Sequence, residues 1–187
     1  MRRLMKILPW LMVFAVLLPA CTPAPPPAAS EVLTVLLTAS ESTAQTLPDG
    51  FIRLTAAPSD SPDRLTETFF SALYGEAARG LLWDGTDAVP PVQDAALYLS
   101  VSPDPFELGV FRCIDGDTAR EVAALCRGRL DTLARGYAGS EWEGVAAGGR
   151  VAAEGNWVLL VLCEDPAPVL EAARRFFGVG GASFEIF

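Results

Sequence analysis

Apolar residues recur along the chain with three different periods. Residues 7–18 form a continuous apolar run broken only by Pro9. Residues 31–38, rich in Val, Leu and Thr, predict a strand. Residues 50–56 predict a second, with Leu47-Pro48-Asp49-Gly50 as the turn before it. Ser61-Pro62 reads as a helix start, a capping Ser followed by Pro at the first helical position. Leu65, Phe69, Ala72 and Leu73 then share a face, and Gly75 stops the helix. Residues 76–91 read as a helical turn and then a loop. Residues 95–101 and 106–113 predict a hairpin across Ser102-Pro103-Asp104-Pro105. Asp115-Gly116-Asp117 leads into a helix running to about Tyr137, with an apolar stripe of Val122, Leu125, Cys126, Leu130, Leu133 and Tyr137.

The pattern then recurs. Residues 144–153 read as a weak strand and Glu154-Gly155-Asn156 as a turn. Residues 157–163 read as the strongest strand, apolar at both parities and so central. Asp165-Pro166 caps a helix carrying Val169, Leu170, Ala173, Phe176 and Phe177, ended by Gly178. The alternation in residues 183–187 suggests a short edge strand. Cys113-Ile114-Asp115 and Cys163-Glu164-Asp165 each place a Cys at a strand end and an Asp at a helix start. The expected fold is one α+β domain over residues 31–187. It has an antiparallel sheet of hairpins with helices packed on one face, and a hairpin–helix unit repeated up to three times.

The first 20 residues stand apart. Arg2, Arg3 and Lys6 precede the apolar run, the layout of a secretory signal. A dozen apolar residues fall short of the roughly 20 that span a bilayer. Leu18-Pro19-Ala20-Cys21 resembles the lipobox of bacterial lipoproteins. The resemblance implies a diacylglyceryl group on the Cys21 thiol and cleavage before it. Residues 21–30 then form a Pro-rich linker, which at about 3.1 Å per residue spans roughly 25–30 Å. The expected location is the cell membrane, lipid-anchored and facing outside the cytoplasm.

Charge and composition narrow the chemistry. The chain carries 14 basic and 23 acidic residues, a net charge of −9, and no His. Removing residues 1–20 removes Arg2, Arg3 and the only Lys, Lys6, leaving 11 basic against 23 acidic residues and a charge of −12. Mean hydropathy of +0.32 owes much to that segment. A surface this acidic disfavours nucleic acid. Without His there is no Ser-His-Asp triad and no imidazole metal ligand. Without Lys there is no Schiff base and no P-loop. No cofactor is expected.

Four stretches add a resemblance: Leu73-Tyr74-Gly75, the strand Glu107–Arg112, the helical Leu130-Asp131-Thr132-Leu133, and Gly155-Asn156-Trp157 running on to Val161. From about Phe69 to Gly178 the chain resembles the bacterial lipoproteins grouped as domain of unknown function 4358. The resemblance implies a lipid-anchored protein of Gram-positive bacteria of the clostridial kind. It implies no catalytic residue, and no role for Cys113, Cys126 or Cys163.

Other candidate chemistry is sparse. Cys113 and Cys163, ending strands that the repeat makes neighbours, are candidates for a disulfide or a redox pair; the alternative is that both, like Cys126 on its apolar stripe, are buried or half-buried free thiols. Asp84 and Asp87, or Asp115 and Asp117, offer oxygen ligands to Ca²⁺ but lack the spacing of a calcium loop. Glu141 and Glu143 flank Trp142, and Glu164 and Asp165 follow the central strand, residue types that glycoside hydrolysis uses. Gly178, Gly180 and Gly181 read as a helix stop and bend. The expectation is a non-enzymatic binding or scaffolding module. Its partners are the membrane, through the anchor on Cys21, and an envelope protein. A carboxylate-dependent cell-wall hydrolase and a small-ligand-binding lipoprotein are the alternatives.

Overall fold

Six strands form one antiparallel sheet in the order β1-β2-β3-β5-β4-β6. The structure is a computed structural model and describes residues 25–42, 50–56, 63–82, 89–178 and 185–187. The strands are β1 (Phe51–Thr55), β2 (Val92–Ser100), β3 (Glu107–Cys113), β4 (Arg150–Glu154), β5 (Trp157–Leu162) and β6 (Glu185–Ile186). The helices are α1 (Ala29–Glu41), α2 (Glu67–Tyr74), α3 (Gly116–Gly136), α4 (Glu143–Ala147) and α5 (Pro166–Phe177). The α+β class with an antiparallel sheet is as expected.

Helices cover both faces of the sheet rather than one. α2 and α3 pack on one face, where Phe70, Val122, Cys126 and Leu130 meet Leu97, Phe111, Val158 and Leu160. α1 and α5 pack on the other, where Val32, Leu33, Leu36, Val169 and Leu170 meet Tyr98, Leu108, Val110, Leu159 and Val161. The reason lies in the central strands. Every residue of β5 is buried, as are six of the seven in β3. A strand apolar at both parities cannot leave either face in water.

The second cover comes from residues 31–38, which are helical rather than extended. Ala29, Val32, Leu33, Leu36 and Ser40 are the buried positions of α1, a 3.6-residue period. The helix also takes in Ala29 and Ser30, assigned above to the linker. The Ala29 amide donates to Asp94 Oδ2 at 2.8 Å, tying the start of α1 to the start of β2.

Two further expectations are corrected. Ser61 and Pro62 lie outside the described residues, and α2 starts later: Thr66 is its N-cap, its side chain accepting from the Phe69 amide at 3.2 Å. Residues 144–153 divide into α4 and β4, because Gly148 and Gly149 end the short helix before the strand begins. The hairpin–helix unit occurs twice, as β2-β3-α3 and β4-β5-α5. A third copy fails with the strand at 31–38. β6 pairs with the edge of β4, as the alternation in residues 183–187 suggested.

Candidate functional site

The buried polar group that organises the α3 face is Glu107, only 2% exposed. It lies on the inward parity of β3 with Phe111 and Cys113. Tyr74 donates its hydroxyl to Glu107 Oε1 at 3.0 Å. Arg129 donates Nε and Nη2 to Glu107 Oε2 at 3.1 and 3.0 Å. Burial, then the neighbouring Glu107 charge, holds the Tyr74 hydroxyl well above its ordinary pKa, so it remains a donor. The cluster ties α2 and α3 to β3. The carboxylate is buried and both its oxygens are engaged, so its chemistry is that of a brace.

The brace also sets the rotation of α3. At about 100° per residue, Arg127 lies roughly 160° around the helix from Arg129. With Arg129 held on one flank of the buried stripe, Arg127 falls on the other, toward α4 and β4. A cleft of about 280 Å³ opens there, lined by Arg127, Asp131 and Ala134 of α3, Ala146 of α4, Arg150 of β4 and Phe187. The Arg127 guanidinium lies over the Phe187 ring at 4.6 Å. Its Nη1 is shut off from solvent and has no hydrogen-bond partner among the described residues. Arg150 Nη1 donates to the Gly148 and Gly149 carbonyls, both at 2.8 Å, which fixes the second guanidinium at the cleft wall. Neither arginine belongs to an ion pair among the described residues, where the four pairs use Arg79, Arg120, Arg129 and Arg174.

A larger hollow of about 370 Å³ lies between α1 and α5, lined by Val35, Ala39, Pro168, Ala172 and Arg175 with the threonines of α1. Thr34 and Thr38 already donate to the Ser30 and Thr34 carbonyls of their own helix. Arg175 is the one guanidinium there, exposed and without an ion pair among the described residues, whereas the smaller α3–α4 cleft brings two such guanidiniums, Arg127 and Arg150, together with Asp131. Chemistry rather than volume makes the latter the candidate site.

The cysteine pair does not form. Arg112 of β3 lies opposite Trp157 and Glu107 opposite Leu162, so the two neighbouring strands run antiparallel and their last residues lie at opposite ends of the sheet. Cys113 and Cys163 are thus separated by about 20 Å along the strands. They also point to opposite faces, Cys113 toward α3 and Cys163 toward α5. A disulfide needs Cα atoms within about 7 Å. Neighbouring strands ending in Cys would meet only in a parallel pair. Both thiols are buried and free, as is Cys126. Desolvation, then Asp115 beside Cys113 and Asp165 beside Cys163, pushes each of the two up to about 12. Desolvation, then Glu107, raises Cys126 as well. None is an activated nucleophile.

No family model, curated protein or solved structure matches the chain.

The acidic candidates have local roles. Asp115 caps α3, accepting from the Thr118 amide at 2.8 Å, and this bond holds its carboxyl below the usual range. Asp117 pairs with Arg120. Asp84 and Asp87 lie outside the described residues, and among those described no group of three or more His, Cys, Asp or Glu can hold a metal. Glu141 and Glu143 are exposed, and Glu143 Oε2 accepts from the Gly139 amide at 3.0 Å. Asp165 caps α5 through the Ala167 amide at 3.1 Å. None of these acids lines either hollow. Gly178 ends α5 in the left-handed conformation at φ 66°, as expected of a helix stop, while Gly180 and Gly181 lie outside the described residues. Cys21 lies outside them too.

Glu107 is detectable in the sequence as an acid on the strand parity it shares with Gly109, Phe111 and Cys113. The Arg127–Arg150 pairing had no local signal, because α3, α4, β4 and Phe187 meet only in the folded chain.

Proposed function

We propose that the chain is a lipid-anchored module, held at the outer side of the cell membrane through Cys21, that binds an envelope component without transforming it. One observation carries the reading: among the described residues the candidate cleft presents two guanidiniums without an ion pair, one side-chain carboxylate and a small apolar wall, and no pair of side-chain carboxylates. Glycoside hydrolysis needs two acids across one bond. Two arginines beside an apolar wall suit capture and orientation of an anionic group. The position of the cleft also fits. α1 is tied to the Val92 end of β2, where the linker enters, whereas Arg150 lies opposite Val161 at the other end of the sheet. The cleft then lies at the end of the sheet opposite the start of α1. The resemblance of residues 69–178 to lipid-anchored proteins adds support.

The test has two parts. The full chain should partition into the detergent phase, and Cys21→Ser should move it to the aqueous phase. Isolated envelope should then retain the wild-type chain and release no soluble sugar or amine product. Envelope breakdown that depends on Glu141, Glu143, Glu164 or Asp165 would establish the hydrolase instead.

A further inference from the structure

We infer that the α3–α4 cleft is a site for an α-amino carboxylate with a small apolar side chain; the inference rests on the binding reading above and names its ligand class. Three kinds of lining chemistry point to this class. First, the cleft has two guanidiniums, and neither makes an ion pair among the described residues. Arg127 Nη1 is itself enclosed by protein atoms, so Arg127 attracts an anion through its charge and Arg150 supplies the open donors. The Phe187 ring already holds the Arg127 guanidinium in place, so little side-chain freedom remains to be lost. Arg150 has spent only Nη1 on the Gly148 and Gly149 carbonyls, leaving three of the five donors of a guanidinium uncommitted.

Second, Asp131 lines the same cleft without an ion-pair partner among the described residues. A simple anion would meet repulsion there. A ligand that carries an ammonium beside its carboxylate turns the same residue into a contact. Third, the rest of the wall is Leu130, Ala134, Ala146, Ala147 and Phe187, which accept an aliphatic side chain. A volume of about 280 Å³ holds one amino acid or the end of a short peptide, and is too small for a polymer.

The experiment is a calorimetric titration of the full chain in detergent with four probes: L-leucine, leucine amide, N-acetyl-leucine and inorganic phosphate. The expected result is saturable binding of leucine. Leucine amide, without the carboxylate, and N-acetyl-leucine, without the ammonium, should each bind at least tenfold more weakly, and phosphate should not compete. Arg150→Gln and Arg127→Gln should each weaken leucine at least tenfold with an unchanged melting curve. Asp131→Asn should weaken leucine while leaving N-acetyl-leucine unaffected. Because Arg127→Gln also removes the stack on Phe187, Arg150→Gln is the decisive variant if Arg127→Gln unfolds. Equal binding of leucine and its amide, equal binding of leucine and phosphate, or no effect of Arg150→Gln overturns the assignment. No leucine binding by a chain that still sediments with isolated envelope overturns the ligand class and leaves the binding reading standing.

Discussion

Tyr74 and Glu107 are joined at 3.0 Å across the interface between α2 and β3, and the other oxygen of Glu107 takes two donors from Arg129 on α3. With the carboxylate 2% and the Arg129 side chain 18% exposed, each partner depends on the other for solvation. A buried charge left alone is costly, while removal of both charges together is often well tolerated. Glu107→Gln should therefore destabilise the chain by about 3–5 kcal/mol, and Tyr74→Phe by about 1 kcal/mol. The double variant Glu107→Leu with Arg129→Leu should lose less than Glu107→Gln alone. Urea unfolding of the four proteins measures this directly.

The α1 helix is the second cover of the sheet, so its core residues should behave as core. Leu33 and Leu36 are fully buried against the face that includes Leu108 and Leu159. Leu36→Ala should cost about 2–5 kcal/mol. Were the helices confined to the other face, the same change would be nearly silent. Denaturant midpoints distinguish the two.

The three thiols should be silent toward an aqueous alkylating reagent in the folded chain and react fully once it is unfolded. They should also shape the alkaline limb of stability. Cys113 and Cys163 rise from an ordinary value near 9 to about 12 in the fold. Above pH 9 the unfolded chain releases thiol protons that the native chain keeps. The native state then holds more protons, and stability falls as pH rises from about 9 to 12. Replacing both residues by Ala should flatten that decline, measured as the urea midpoint against pH.

Gly109 leaves the space that Phe111 fills. A Cβ there would lie 3.0 Å from the Phe111 ring and 3.1 Å from Leu97. Both neighbours are packed, and the Phe111 ring also meets Phe70 and Tyr74, with centroids 5.7 and 5.6 Å away. Gly109→Ala should destabilise by about 1–3 kcal/mol through overpacking, the reverse of its usual effect in a strand. Thermal melting gives the sign.

Where one local signal dominated, the elements could be read from the sequence. The helix after Asp115 was predicted to reach about Tyr137, and α3 ends at Gly136 with Tyr137 as its C-cap, because cap and stripe agree. The run 157–163 was marked as central by its two apolar parities, and the same fact already required helices on both faces. Residues 31–38 misled because Val32, Thr34 and Val35 carry β-propensity, which the 3.6-residue spacing of the buried side chains overrode. The cysteine pair was inferred from sequential likeness, and antiparallel pairing reversed its geometry. The cleft depends on the rotation of α3, fixed by Arg129 reaching Glu107 over 22 residues, and no window of sequence contains it.

The central claim is that the α3–α4 cleft is a binding site whose ligand class is an α-amino carboxylate. Amide chemical shifts of the full chain in detergent, recorded with and without L-leucine, test it most directly. The account predicts shifts confined to Arg127, Leu130, Asp131, Ala146, Gly149 and Arg150, all of which line the cleft. Shifts centred on Glu141 and Glu143 or on Glu164 and Asp165, or no shift at the cleft at all, would contradict it.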